Sequence, residues 1–314
     1  MTCSHPNGRE AVLAYSGGAI DRASNQRTDP AWVDAILAAE GARLIPMWRD
    51  HCIVSGEPAV PAIVPVTEAE AILTAAGDPV FLGLDDNGGI FTADLSPLEE
   101  SQAIGVTGGE RAVDVRGLVS ALGHSEAALL GYARGMLHWN RHQQYCGTCG
   151  SRTRSDHGGH LRTCGNEACG RLHFPRVEPA VIMLVETADT PDRCLLARHK
   201  GSPAGSYSTL AGFVDVSESL EDAVRREVAE ETGVPVQTVT YLASQGWPFP
   251  SGLMVGFRAT AAAGETVTVD GEEVLEARWF TRAELAEHAA SRGHLGREDS
   301  IDRYLLHSWL EEAG

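Results

Sequence analysis

Residues 212–234 constrain the fold and chemistry of this chain more than any other segment, because they place Glu227, Glu230 and Glu231 at spacings i, i+3 and i+4. On a helix these side chains share one face. Carboxylates crowded on one face repel each other, and a bound divalent cation neutralises them. Carboxylate-bound magnesium beside phosphate oxygens is typical of phosphoryl chemistry, so the segment predicts a metal-binding helix. A solvated acidic helix face is the alternative interpretation.

The residues around the three glutamates predict where this helix begins and ends. Ser219, with Asp222 three residues later, resembles a capping box that begins the helix near Leu220. From Leu220, apolar residues recur at i, i+4 and i+8 and predict a buried face away from the acids. Gly233 is expected to end the helix. Gly212 is expected to form a tight turn that lets a phosphate approach the backbone.

The net charge argues against one broad class of function. The chain has 314 residues, of which 43 are acidic and 25 are Lys or Arg, and its formal charge is −18. A general nucleic-acid-binding protein needs a basic surface, whereas metal ions and a few local bases still allow an anionic small substrate. No secretory leader is visible, and no apolar run approaches the ~20 residues that span a bilayer. We therefore expect a soluble, cytoplasmic protein without membrane contact.

Four of the seven cysteines form a metal-type pattern. Cys146-x2-Cys149 and Cys164-x4-Cys169 are separated by 14 residues, which is typical of a zinc ribbon with one structural Zn²⁺ per subunit. Four thiolates close a tetrahedral site and leave no position for catalysis. The alternatives are four unrelated thiols, a knuckle that has lost its metal, or a histidine ligand in place of one cysteine. The nearby histidines are His157, His160 and His173.

The chain divides into three predicted domains. Residues 1–140 are expected to form an α+β domain without a recognisable chemical motif, residues 141–174 the zinc ribbon, and residues 175–314 the last domain. A helical pattern covers residues 118–143. Short apolar runs predict strands at Arg43–Trp48, His51–Val54, Ala62–Pro65, Val80–Leu84, Ala180–Glu186, Cys194–Ala197, Val239–Ser244, Leu253–Ala261 and Glu276–Phe280.

The spacing within the acidic segment resembles the Nudix box of the Nudix hydrolases. The resemblance implies an α+β fold in which a Nudix α/β/α sandwich with a mixed sheet follows the zinc ribbon and the N-terminal domain. It implies that the box glutamates hold two or three Mg²⁺ or Mn²⁺ ions against a pyrophosphate, and that one carboxylate helps to deprotonate a metal-bound water. The catalytic and metal-binding residues are then Glu227, Glu230 and Glu231, with Glu273 as a further acid near the metals, and the structural support comes from Gly212, Glu218 and Arg226.

Two further tracts are similar to the NADH pyrophosphatases, a Nudix subfamily that also acts on NAD-capped RNA. They are residues 244–250, Ser-Gln-Gly-Trp-Pro-Phe-Pro, and residues 173–182, which follow the cysteines. The resemblance implies hydrolysis of NAD(H) to NMN(H) and AMP, with removal of 5′-NAD caps from RNA as a second activity. It also implies a homodimer in which each site is completed across the interface.

Four residues are candidates for substrate contact. Trp247 and Phe213 offer flat apolar faces for a nicotinamide or adenine ring, Gln245 belongs to the same tract as Trp247, and Phe174 would be lent to the partner's site by resemblance. The chain departs from the subfamily signature at Gly246 and Gly252, and Asp302, in Ser300-Ile301-Asp302-Arg303, replaces what is usually a small Ala near the bound base. These departures place the substrate in question more than the reaction class.

Two alternative functions compete with NAD(H) hydrolysis. The altered tract could accept another nucleoside diphosphate, such as ADP-ribose or a diadenosine polyphosphate. A non-catalytic module that senses a nucleotide and binds a partner through its zinc ribbon is the second alternative. The intact acidic helix argues against a pure sensor, since binding alone does not require three adjacent carboxylates.

Overall fold

The computed structural model describes residues 13–189, 192–269, 271–292 and 295–312. These residues form two structural units. The N-terminal unit comprises residues 15–176 and 248–251, and the C-terminal unit comprises residues 13–14, 177–247 and 252–312. The domain limits predicted at residues 140 and 174 follow chain order and remain predictions.

The N-terminal unit carries the first four helices and the first ten strands of the described chain. The helices are α1 (Pro30–Leu37), α2 (Glu70–Ala76), α3 (Glu100–Thr107) and α4 (His124–His142). The strands are β1 (Arg43–Trp48), β2 (His51–Ser55), β3 (Val60–Pro61), β4 (Val64–Pro65), β5 (Val80–Asp85), β6 (Gly88–Asp94), β7 (Arg111–Asp114), β8 (Thr153–Asp156), β9 (Leu161–Cys164) and β10 (Leu172–His173).

The main sheet of the N-terminal unit has strand order β3-β2-β1-β6-β5, with β4 paired to β1 and β7 paired to β2. The pair β1/β6 is parallel, and the other pairs are antiparallel. Its core contains Leu44, Phe81 and Phe91, all fully buried. The strands β8, β9 and β10 form a separate antiparallel sheet that carries part of the cysteine module.

The C-terminal unit contains the remaining strands and helices. The strands are β11 (Glu178–Thr187), β12 (Arg193–His199), β13 (Leu210–Phe213), β14 (Val236–Trp247), β15 (Gly252–Ala261) and β16 (Val274–Thr281). The helices are α5 (Leu220–Thr232), α6 (Arg282–Arg292) and α7 (Ile301–Glu311). The sheet order is β14-β15-β11-β12-β16, with β13 paired to β11 and a parallel β11/β15 pair.

Helices cover both faces of the C-terminal sheet. Because side chains alternate along a strand, Val181 of β11 packs in one core with Val224 and Val228 of α5, whereas the adjacent Ile182 packs in a second core with Trp309 of α7. Burying apolar side chains on both faces stabilises a three-layer arrangement. The predicted α/β/α sandwich with a mixed sheet is confirmed.

Most of the predicted strands are present, and two predictions about local structure are wrong. The helix predicted from residue 118 begins at His124, after two short 3-10 turns at Val115–Gly117 and Val119–Ala121. The prolines at 248 and 250 predict a loop over the tract 244–250, but its first four residues complete β14 and pair with β15 from Ser244↔Val255 to Trp247↔Gly252. Only residues 248–251 remain outside the strands.

Within the described residues, no helix combines the length and the apolar character that a membrane span needs. The cytoplasmic location stays a prediction.

Candidate functional site

Helix α5 begins and ends where the sequence predicts. The Ser219 hydroxyl oxygen accepts a hydrogen bond from the backbone N–H of Asp222 at 3.1 Å, which satisfies one free donor of the first turn. Gly233 ends the helix with φ of 70°, in the left-handed region that glycine tolerates. Val224 and Val228 are fully buried, and Glu231 is buried with them, whereas Glu230 faces away from the core.

Arg226 organises the acidic residues of the box. Its Nε and Nη2 donate to the two carboxylate oxygens of Glu218, each at 2.8 Å, in the bidentate geometry that guanidinium favours. Its Nη1 donates to Glu227 at 2.8 Å and to Glu230 at 3.1 Å. Nη2 also donates to the backbone oxygen of Phe213 at 2.9 Å. The helix is therefore tied to the end of β13 through one side chain.

The same network separates the acids electrostatically. Hydrogen bonds from Arg226 lower the pKa of Glu218 to about 2. Burial raises the pKa of Glu227, and the nearby charges of Glu230 and Glu273 act in the same direction, while Arg226 opposes them. Glu227 therefore lies in an excess of negative charge, which a divalent cation would relieve.

Gly212 has a different role from the predicted one. It lies within β13, paired to Val181, and its φ is not positive, so it forms no tight turn. A Cβ at this position would lie 1.9 Å from Cδ of Glu227. The absence of a side chain at Gly212 therefore makes room for the Glu227 carboxylate.

The three glutamates predicted to bind metal differ in exposure. The side chain of Glu230 is 63% exposed and that of Glu227 is 14% exposed, whereas Glu231 is buried. Among the described residues, only the four cysteines form a group of at least three ligand atoms within 4.8 Å of one another. The box glutamates therefore do not converge on one point as the cysteines do, and metal binding by them stays a prediction.

The predicted substrate-contact residues fall into two groups. Phe213 and Phe174 are 64% and 56% exposed, and Trp247 is partly buried at the end of β14. Gln245 is buried, and its amide is used within the protein: Nε2 donates to the backbone oxygens of Ala14 and Asp299, and Oε1 accepts from Ile301 N–H. Gln245 therefore has a structural contact with the start of α7. Because both polar atoms of its amide are hydrogen-bonded within the protein, the structure does not support its predicted contact with substrate.

Asp302 and Phe249 make structural contacts that the sequence does not predict. Asp302 is buried, and its Oδ1 accepts from the N–H and the hydroxyl of Thr209 at 2.9 and 2.7 Å; burial raises its pKa. Phe249, in the tract thought to bind a base, instead packs in the N-terminal unit with its ring 4.7 Å from the Arg134 guanidinium and 5.2 Å from the Tyr15 ring. No local signal marks either contact, because each partner lies more than 90 residues away in the chain.

Among the described residues, the four predicted cysteines form the group that is best suited to bind a metal ion. The Sγ atoms of Cys146, Cys149, Cys164 and Cys169 all lie within 4.8 Å of one another. The backbone N–H groups of Thr148 and Ser151 lower the pKa of Cys146 and Cys149, respectively. Burial and the neighbouring thiols raise the pKa of Cys164 and Cys169. Converging thiols with N–H donors directed at sulfur suit a tetrahedral zinc ion. Among the described residues the ligand group consists of the four cysteines, and His173 contacts it through a hydrogen bond with Cys146.

Comparison with known families matches both units. A family profile described as "NUDIX domain" matches residues 176–303. A second, described as "NADH pyrophosphatase-like rudimentary NUDIX domain", matches residues 41–139. The first match contains the acidic helix and the second contains the main N-terminal sheet.

Several curated proteins are similar in sequence. The human protein named "NAD-capped RNA hydrolase NUDT12" is 44% identical over 172 residues, covering 53% of this chain and 37% of that protein. "NAD-capped RNA hydrolase NudC" of Stutzerimonas stutzeri is 43% identical over 182 residues, covering 58% and 61%. The human "NAD(P)H pyrophosphatase NUDT13, mitochondrial" is 34% identical over 245 residues, covering 74% and 67%. The chain thus spans less than two thirds of the length of the first two relatives.

Proposed function

This chain belongs to the Nudix hydrolase family, and from that membership we propose that it hydrolyses the diphosphate bond of NAD(H) to give NMN(H) and AMP. The observation that carries the proposal is the Arg226 network, which holds Glu218, Glu227 and Glu230 together beside Gly212. Removal of NAD caps from RNA breaks the same bond, and two relatives are named for that activity. We therefore propose it as a second activity.

The acids of the box are suited to divalent cations. Glu227, Glu230 and Glu231, with Glu273 nearby, would hold two or three Mg²⁺ or Mn²⁺ ions, which polarise a phosphoryl group and lower the pKa of bound water. Arg226 keeps Glu227 and Glu230 within reach of one guanidinium nitrogen. Glu218 remains ionised because of Arg226 and anchors that side chain to the loop before α5.

The ends of the substrate would be held by aromatic side chains. Phe213 is exposed directly after Gly212, so a ring stacked on it lies next to the acidic site. Trp247 is a second candidate for stacking. We propose that Phe174 acts in the partner subunit of a homodimer, as its exposed ring suits an intersubunit contact.

Zinc has a separate, structural role in this proposal. Four converging cysteine thiols would bind one Zn²⁺ per subunit and leave no open coordination position. The ion would therefore stabilise the β8–β10 sheet without entering the reaction.

The test measures AMP released from NADH by the purified protein in Mg²⁺ or Mn²⁺. We expect Glu230→Gln to reduce turnover by at least about 100-fold while NADH binding persists, because the substitution removes a charged metal ligand. Glu221→Gln is the matched control, since Glu221 is exposed on the first turn of the same helix and should leave turnover unchanged. ADP-ribose and diadenosine polyphosphates serve as competing substrates. If either compound is hydrolysed faster than NADH, it becomes the proposed substrate in place of NAD(H). If none of the three compounds is hydrolysed, the proposal that the protein is a hydrolase is wrong.

A further inference from the structure

A cavity of about 460 Å³ opens in the N-terminal unit, and its lining includes no residue of the Nudix box and none of the four clustered cysteines. It lies between the turn that joins β1 to β2 and the end of α4. A volume of this size is sufficient for a small ligand. The residues that line it are Arg49, Asp50, Ser96, His138, Arg141 and His142.

The β1–β2 turn at the cavity has an unusual conformation for its residues. Trp48 pairs with His51, so the turn contains only Arg49 and Asp50. Their φ angles are 45° and 68°, in the left-handed region that asparagine and glycine normally occupy in such hairpins. Two non-glycine residues in this region store strain that often marks a functional position. The strain here places two charged side chains at the cavity.

Most charges around the cavity are already paired. Arg141 pairs with Asp50, lies 3.3 Å from Asp94 and donates to the Ser96 hydroxyl at 2.8 Å. Arg134 lies 3.6 Å from Asp50. Two aspartates are thus matched by two arginines, and Arg49 is left as excess positive charge. Its guanidinium lies 4.6 Å from the Trp48 ring and has no hydrogen-bond acceptor among the residues that the structure describes.

Two histidines add proton-dependent charge. His138 and His142 lie one helical turn apart, and their rings stack at 4.1 Å. The Nδ1 of His138 lies 3.3 Å from an Asp50 oxygen, and the Nδ1 of His142 lies 2.8 Å from the His138 backbone oxygen. Because both partners only accept, each Nδ1 carries a proton and each Nε2 is free to bind one. Two protonated rings would repel at this distance unless an anion neutralised them.

We propose that this cavity binds a phosphate monoester dianion through the Arg49 guanidinium and the Nε2 atoms of His138 and His142. The dianion supplies the negative charge that allows both stacked rings to be protonated, and each Nε2 then donates a hydrogen bond to it. Asp50 lines the same cavity and keeps the anion toward Arg49. Arg134 lies beside Asp50, Arg141 lies beside Asp94, and His51 adjoins the turn through the Arg49 backbone oxygen. Binding is therefore expected to take up protons.

The test uses the full zinc-loaded chain with ¹⁵N-labelled histidines, in the absence of Mg²⁺ and Mn²⁺. Inorganic phosphate is added at a series of pH values, and the imidazole signals are assigned with His138→Gln and His142→Gln. We expect phosphate to move the imidazole ¹⁵N signals of both residues toward those of protonated rings. Referred to the concentration of the dianion, phosphate should bind at least about tenfold more tightly near pH 6 than near pH 8. Unchanged histidine signals would overturn the proposal.

Matched variants separate this cavity from general charge attraction. Arg49→Gln should weaken phosphate binding at least about tenfold, because a charge-assisted hydrogen bond is lost. Arg154→Gln removes one exposed positive charge from β8 of the same unit and should have little effect. Equal weakening by the two variants would contradict the proposal. If Arg49→Gln does not fold, His142→Gln provides the same comparison.

A second arm identifies the source of the phosphate group. AMP that moves the His138 and His142 signals at lower concentration than inorganic phosphate indicates a mononucleotide ligand. Equal effects indicate that the phosphoryl group alone is recognised. Adenosine, which has no phosphate, should leave both signals in place, and a response to adenosine equal to that of AMP would overturn the proposal. These signals do not depend on hydrolysis, so the result is independent of the proposed enzyme activity.

Discussion

Apart from β3, the N-terminal and C-terminal sheets have the same strand connectivity, although their chemistry differs. In the N-terminal unit the order β5-β6-β1-β2-β7, with β4 on β1, matches the C-terminal order β14-β15-β11-β12-β16, with β13 on β11. The parallel pair occupies the same place in each, β1/β6 and β11/β15. The profile that matches residues 41–139 is described as a rudimentary NUDIX domain, in agreement with this correspondence.

The helix after the third matching strand distinguishes the two units. In the C-terminal unit this helix is α5, which has 13 residues and carries Glu227, Glu230 and Glu231. In the N-terminal unit it is α2, whose seven residues read Glu-Ala-Ile-Leu-Thr-Ala-Ala. The shared sheet is therefore stable without a carboxylate cluster, and the proposed chemistry depends on one helix and its partners.

Loss of zinc should produce the largest difference between the units. Structural zinc contributes on the order of 10 kcal/mol to folding where it binds. We expect chelation or Cys164→Ser to remove hydrogen-exchange protection from β8, β9 and β10, while amides of the C-terminal sheet stay protected. Cys194→Ala is the control, because Cys194 is buried in the C-terminal unit outside the cluster. Full zinc content in Cys164→Ser would refute this prediction.

Acidification should destabilise the N-terminal unit selectively. Burial lowers the pKa of His160 from 6.5 to about 4, so the unfolded state binds the extra proton between these values. The unfolding free energy should then fall by up to about 3 kcal/mol as the pH drops through this window. Burial raises the pKa of Asp302, so the folded C-terminal unit binds this proton more readily than the unfolded chain does. The contribution of Asp302 to the unfolding free energy therefore increases as the pH falls, opposite to that of His160.

Hydrogen exchange at a series of pH values separates the two effects. His160→Gln should flatten the pH dependence of the N-terminal amides, since glutamine can donate to the Phe81 backbone oxygen without titrating. An unchanged slope in this variant would show that His160 is not responsible.

Adding one methyl group at Gly212 should abolish most of the activity. The Cβ would overlap the Glu227 carboxylate, which must move by more than 1 Å, and a displacement of that size reduces catalysis by about 100-fold. The measurement is kcat/KM for NADH. Gly105→Ala is the matched control, because Gly105 lies in helix α3 with nothing within 4 Å of the added methyl. Near-normal activity in Gly212→Ala would mean that the position of Glu227 is not critical.

Arg226→Lys should have a smaller effect on the same reaction. Lysine keeps the charge but cannot bind Glu218 in bidentate fashion while also contacting Glu227 and Glu230. We expect kcat/KM to fall about tenfold with little change in stability, consistent with the loss of one or two charge-assisted hydrogen bonds. A loss as large as that of Glu230→Gln would instead assign Arg226 a direct role in the reaction.

The features that the sequence predicts correctly rest on short spacings. Ser219 and Gly233 delimit α5 within a few residues of the acids, and the cysteine pairs lie within 24 residues of one another. The features that it misses depend on distant parts of the chain. Gln245 bonds to Ala14, 231 positions away, and the β1/β6 pairing joins segments that share no motif. Gly212 is a similar case, because the need for glycine there comes from the Glu227 side chain, which lies 15 residues further along the chain.

The most direct test of the proposed chemistry locates the metal ions. Crystals of the protein with Mn²⁺ and NADH, using Glu230→Gln as the comparison, allow the ions to be identified by anomalous scattering. We expect two or three Mn²⁺ ions beside the diphosphate, coordinated by Glu227, Glu230 and Glu231, with Arg226 still bound to Glu218. Ions bound elsewhere, with Glu227 and Glu230 still paired to Arg226, would contradict the account.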